Sequence, residues 1–273
     1  MSPGPARASR RLSRRAAESL LVAVAVVVVT TAGLVAAARI MAAPDSHDPG
    51  AGSGTRVISV TAGTVRAVDL RGVPGDLTIA GTAGSQVRLT GQLHWSGRAP
   101  VAATWLDRAS QVLHLSFRCA PASPCTEHYR LLVPRRTALA LRQPAGRITA
   151  SGLAGPVRIT AGHVAVSAAG LRSPSLAAVI SSGQLTAAFA AAPRLVSVTL
   201  TSAQATLRLP GSVGYAVSSQ VVAGFIHVGV PQASGAARTV TARIHSGELE
   251  LLPGLFLDAG RGLRGIDEDV WDD

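Results

Sequence analysis

A short pattern recurs five times between Gly146 and Pro253, and it restricts the possible folds more than any other feature of the chain. Each copy is an alternating apolar run, one or two small polar residues, a corner residue and a second alternating run. The corner residues are Gly162, Gly183, Ala203, Gly224 and Gly247, in steps of 21, 20, 21 and 23 residues. Three residues before them stand Ile159, Ile180, Leu200, Val221 and Ile244; two residues after them stand Val164, Leu185, Ala205, Ile226 and Leu249. The positions in between are mostly Thr, Ser, Gln, His, Arg or Glu. Apolar residues at every second position describe a strand with one buried face. One unit of ~20 residues cannot bury that face alone, whereas stacked units bury each other's. The spacing therefore predicts an all-β chain forming a single parallel β-solenoid, with Ile159, Ile180, Leu200, Val221 and Ile244 in one column. Glycine at the corner allows positive φ or close approach of the next layer; Ala203 implies that its own corner is not strongly left-handed. A β-sandwich is the competing fold, but it does not account for columns that hold register over four consecutive steps.

Composition agrees with thin layers. Aromatics are only 3% of 273 residues, so the core rests on Val, Ile, Leu and Ala. The net charge is +11, and all 26 basic residues are Arg. Such a surface favours anionic partners, and it equally serves to keep an apolar β protein in solution.

Arg7, Arg10, Arg11, Arg14 and Arg15 precede an uncharged apolar run from Leu20 to Ala38. As a helix of ~1.5 Å per residue this run spans roughly 28 Å, close to the hydrocarbon thickness of a bilayer. The Arg cluster before it places the N-terminus in the cytoplasm. A cleaved signal peptide ending near Ala36-Ala37-Ala38 and a buried core helix are the other readings. The chain then divides into a basic cytoplasmic tail (1–19), a transmembrane helix (20–38), a flexible linker (39–56), an extracytoplasmic β-solenoid (57–257) and an acidic tail (258–273). Within 57–134, Gly75-Asp76-Leu77-Thr78-Ile79 already has the later pattern. Trp95 to Asp107 breaks the period and reads as a hairpin or insertion capping the first layer.

Cys119 and Cys125 are the only cysteines. Outside the cytoplasm a close pair reads as a structural disulfide, with two free thiols or a metal or redox site as alternatives. From Cys119 onward the chain resembles the bacterial DUF4097-type putative-adhesin β-solenoid family in its actinobacterial membrane-anchored form. The matching pieces are the cysteine pair before a strand ending Val133-Pro134, then Gly146-Arg147-Ile148-Thr149, Gly155-Pro156-Val157-Arg158-Ile159, and the Ser182-Gly183 and Ser246-Gly247 corners. Ala203 and Val222-Ala223-Gly224 depart from the pattern. The resemblance implies an extracytoplasmic parallel β-solenoid with an adhesion-related name, and it brings no functional residue to carry over.

Catalytic signatures are weak. Between Asp107 and Asp258 the acids are Glu127, Glu248 and Glu250; the last two read as an outward pair at the final layer, blunting the stack's exposed end rather than cleaving a sugar. His163, His227 and His245 occupy three different repeat positions, which does not suit a metal site. Nucleic-acid binding would need aromatics among the basic residues. The expectation is a protein without enzymatic activity or cofactor, and without a metal site or nucleic-acid partner. Its candidate binding face is Arg158, Thr160, Thr199, Thr201, Gln220 and Arg243. Its expected partners are the lipid bilayer through residues 20–38 and, through that face, an anionic envelope polymer or another membrane or envelope protein. A sensory or regulatory partner of another membrane protein is the alternative role.

Overall fold

The computed structural model describes residues 39–40, 52–72 and 74–254. The basic tail, the apolar run 20–38, most of the linker and the acidic tail lie outside the described residues. The strands are β1 (Arg39–Ile40), β2 (Gly54–Ala62), β3 (Ala67–Arg71), β4 (Gly75–Thr82), β5 (Val87–Trp95), β6 (Val101–Asp107) and β7 (Val112–Arg118). They continue with β8 (Cys125–Pro134), β9 (Ala138–Ser151), β10 (Val157–Leu171), β11 (Ser175–Phe189), β12 (Leu195–Pro210), β13 (Ala216–Val228) and β14 (Thr239–Gly254). All belong to one large sheet. β1 and the first residues of β2 fall within 39–56, the stretch expected to be linker.

From β9 onward every rung pairs in parallel with the next. A straight strand of the length of β10 would extend roughly 50 Å. Yet only residues 172–174 separate its end from Ser175 of β11, whose neighbour Leu176 pairs with Val157 at the start of β10. So short a link reaches about 14 Å at most. Each rung must therefore bend back on itself, and the rest of the rung serves as the crossover that parallel pairing needs.

The inward residues form columns. Leu141, Ile159, Ala178, Val198 and Ala242 make one; Ala161, Ile180, Leu200 and Ile244 make another; Ile148, Val166, Leu185, Ala205 and Leu249 a third. All of these residues are buried. The corner column runs Gly75, Gly146, Val164, Gly183, Ala203, Gly247, Gly224. Gly183 and Gly247 have φ of 108° and 129°, and Ala203 has no positive φ, as expected.

Two expectations are corrected. Gly162 is not the corner of its rung: Val164 is, so Ile159 stacks on Ala178 and Leu185 on Val166. A two-residue slip leaves every side chain on the same face, so alternation alone cannot register it. In addition, rung order is not chain order. β14 lies between β12 and β13, so Leu200 stacks on Ile244 and Val221 stands at the outer edge.

Before β9 the array is mixed rather than all parallel. β3 and β4 together make one rung, pairing with the two arms of β9. β7 and β8 make the next, parallel to β3 and β4. Direction then reverses: β6 runs antiparallel to β7, and β5 antiparallel to β8 and β2. The β6–β7 hairpin is the expected break in the period. Its turn is held by the Asp107 carboxylate, which accepts hydrogen bonds from the Ala109 and Ser110 amides and the Ser110 hydroxyl. Those bonds hold the Asp107 carboxyl below its ordinary range.

Candidate binding face

Because strands expose alternate residues, the polar positions of successive rungs fall into outward columns ~4.8 Å apart. Four of the six face residues share one of them. The column runs Arg71, Arg142, Thr160, Val179, Thr199, Arg243, Gln220. Arg158 lies one column earlier, in the series Ala140, Arg158, Ala177, Ser197, Thr241. Thr201 follows Leu200 at the corner and is exposed. Thr160, Arg158 and Arg243 are exposed too, and Thr199 is half-buried between its neighbours. Val179 interrupts the polar column. Sequence reading left out Arg142, which precedes the repeat but occupies the same column. Arg142 and Arg243 stand four rungs, roughly 19 Å, apart, with uncharged residues between them.

The arm after the corner presents a second face. One column holds Asp76, Arg147, Ala165, Gln184, Gln204, Glu248 and Phe225. The next holds Thr78, Thr149, Ser167, Thr186, Thr206, Glu250 and His227. Thr206 donates to the Glu250 carboxylate across the rungs, at 3.3 Å. Glu248 and Glu250 thus sit on the penultimate rung and not on the final layer as expected. His163, His227 and His245 lie in separate columns. His163 is hydrogen-bonded to Ser182 on the next rung. Among the described residues no three potential metal ligands cluster, and no helix is long and apolar enough to cross a membrane.

Cys119 and Cys125 are joined by a disulfide, with Cα atoms 6.0 Å apart. The bond closes the corner between β7 and β8, the place where neighbouring rungs carry a tight glycine turn. Just beyond it, Glu127 pairs with Gly75 in the corner column and is fully buried. Sequence reading placed no role on Glu127. Its position in the alternation Cys125, Glu127, Tyr129, Leu131, Val133 was the signal, since every other member faces the core. Tyr129 follows Glu127 on the same inward face of β8 and is buried too. Burial, then the charge of the neighbouring Glu127 carboxylate, push the phenol well above its ordinary range. Burial raises Tyr215 as well, partly offset by Arg238; its hydroxyl donates to the Pro210 carbonyl at 3.2 Å. Gln143, also buried, donates to the Gly75 and Ala145 carbonyls and so ties two corners together.

No family model matches the chain, and no curated protein matches it. Solved structures do. One is a putative cell adhesion protein from Clostridium sporogenes, 10% identical, with a TM-score of 0.43, covering 74% of this chain and 99% of that one. Another is a putative adhesin from Bacteroides fragilis, 11% identical, with a TM-score of 0.27 over 72% of this chain and 97% of its own. A third is a putative adhesin from Parabacteroides merdae, 12% identical, with a TM-score of 0.31 over 74% and 96%. With TM-scores below 0.5 and identities of 10% to 12%, these matches carry no argument about this chain.

Proposed function

We propose that this chain is a membrane-anchored, extracytoplasmic β-solenoid of the DUF4097 type that binds an anionic polymer of the cell envelope and has no enzymatic role. The observation that carries the reading is the outward column in which Arg142 and Arg243 bracket Thr160 and Thr199, with Arg158 alongside. Rungs at a fixed spacing suit a ligand that itself repeats, and guanidinium groups suit phosphate or carboxylate on it. The apolar run 20–38 supplies the anchor, and the Arg cluster before it sets the N-terminus in the cytoplasm. The acids are placed for packing and surface charge: Glu127 is enclosed, and Glu250 is bonded to Thr206.

The test is cosedimentation of the protein, in mild detergent, with cell walls isolated from its own source organism at low and high salt. Retention that falls steeply as salt rises is the expected result, because exposed charges are screened within ~8–10 Å at physiological ionic strength. No retention at low salt would overturn wall binding and redirect the search to a protein partner.

A further inference from the structure

The final rung β13 has a paired side and an open side. β14 occupies one side along the whole strand. Among the described residues, the other side carries only the Tyr215–Gln232 bridge, which precedes the strand. An unpaired row of backbone N–H and C=O groups is a template for another strand, and proteins ordinarily guard it with charge, proline or a cover. Ala216–Val228 contains no Asp, Glu, Arg or Pro. It also exposes Val222 (79%), Phe225 (56%) and Val221 (39%).

We propose that β13 pairs with β13 of a second copy, making a two-fold dimer end to end. The register follows from the corner. On β14 the inward residues Ile244 and Leu249 face Val221 and Ile226, while Arg243, Glu248 and Glu250 face Gln220, Phe225 and His227. Val221 and Ile226 are therefore the inward pair around the bend, and Val222 and Phe225 the outward pair. A two-fold axis through the bend, between Ala223 and Gly224, lays the arm before the corner of one copy along the arm after the corner of the other. The strands run antiparallel, and inside stays on inside. Val222 then meets Phe225 of the second copy, Val221 meets Ile226, and Gln220 meets His227. A shift of one residue would set inward residues against outward ones.

A second copy fits this edge better than an unrelated strand does. A partner must bend at the same place and present apolar residues on both faces, and β13 itself has both properties. Its lack of formal charge removes like-charge opposition at the seam of a chain with net charge +11. Along the outer column the order becomes Arg243, Gln220, then His227 and Glu250 of the second copy, so the nearest formal charges have opposite sign. They are about 14 Å apart, beyond the screening length, so they set compatibility and do not drive association. The interface is isologous and closes at two copies.

Of the candidate binding residues only Gln220 lies on β13 and meets the second copy, while Arg142, Arg158, Thr160, Thr199 and Arg243 lie on inner rungs outside the seam, so the dimer leaves the polymer-binding arginines free. The experiment is light scattering on the full chain in nonionic detergent, with the detergent mass subtracted. A doubled protein mass is expected, and Val222→Lys, at an exposed site, should restore the monomer with an unchanged circular dichroism spectrum. If that variant does not fold, cysteine crosslinking decides. A mixture of Val222→Cys and Phe225→Cys chains should crosslink under mild oxidation, and either variant alone should not. A wild-type monomer at every concentration, a dimer that survives Val222→Lys, or single variants that crosslink as readily as the mixture would each overturn the proposal. Lost polymer binding with an intact dimer would overturn the proposed function alone.

Discussion

At Gly247 a φ of 129° coincides with a close neighbour: an added Cβ would stand 1.9 Å from the Ala203 carbonyl oxygen. Ala203 fills the same column on the next rung without positive φ. Gly247→Ala should therefore cost about 1–3 kcal/mol through backbone strain and displacement of that rung. Ala203→Gly should cost only about 0.5–1 kcal/mol, from chain entropy. Thermal unfolding of the two variants measures the order; equal losses would mean that the corner is not close-packed. The Tyr129–Glu127 pair has a pH signature. The phenol's ordinary value is 10.0 and burial raises it in the folded chain, so the folded state holds its proton where the unfolded state releases it. Stability is then full below pH ~10 and falls as pH rises above that value. Tyr129→Phe should flatten the alkaline decline, leaving the smaller share due to Tyr215, as followed by urea midpoints between neutral pH and pH ~11. At this scale the sequence was readable wherever alternation identified the inward face. Glu127 sat in plain view at an inward position, two residues before Tyr129 on the same face, but that this position falls on the corner column opposite Gly75 appears only once β8 is paired with β4.

At the scale of the rung, neighbours on both sides decide what a residue is worth. Leu200 is fully buried between Ile180 and Ile244, and Leu200→Ala should cost about 2–5 kcal/mol. Val221 has the same place in the repeat but lies on the open edge at 39% exposure. Val221→Ala should cost less than about 1 kcal/mol in the monomeric Val222→Lys background. The sequence columns treated the two as equivalents, because nothing in a period of ~20 residues says that β14 inserts inside β13. The first copy misled for a related reason: Gly162 is two residues from the true corner, and a slip by a full pleat is invisible to hydrophobic patterning. The disulfide is a rung-scale device as well. It closes seven residues at the corner between β7 and β8, and Cys119→Ser with Cys125→Ser should lower stability by about 2.4 kcal/mol in the loop-entropy account. Unchanged urea midpoints in the double variant would remove its structural role.

Across the molecule, the parallel stack from β9 to β14 was legible because its layers repeat, whereas the reversal at β5 and β6 was not. Alternation encodes which side chains are buried and carries no strand direction, so the antiparallel beginning looks like more of the same until pairings are known. The candidate face was legible in part. The repeat lined up Thr199, Gln220 and Arg243 with Arg158; the two-residue shift of β10 seats Thr160 in that column instead, and Arg142, which falls before the first copy, enters it only through the pairing of β9 with β10. The account depends most on that column acting as one charged surface. Its direct measurement is the salt dependence of binding to soluble wall polymer for the wild type and for the triple variant Arg142→Ser, Arg158→Ser, Arg243→Ser. A slope of log K against log salt that is clearly flatter in the triple variant, with unfolding midpoints unchanged, is the expected result. Superimposed slopes, or no binding by the wild type at low salt, would contradict it.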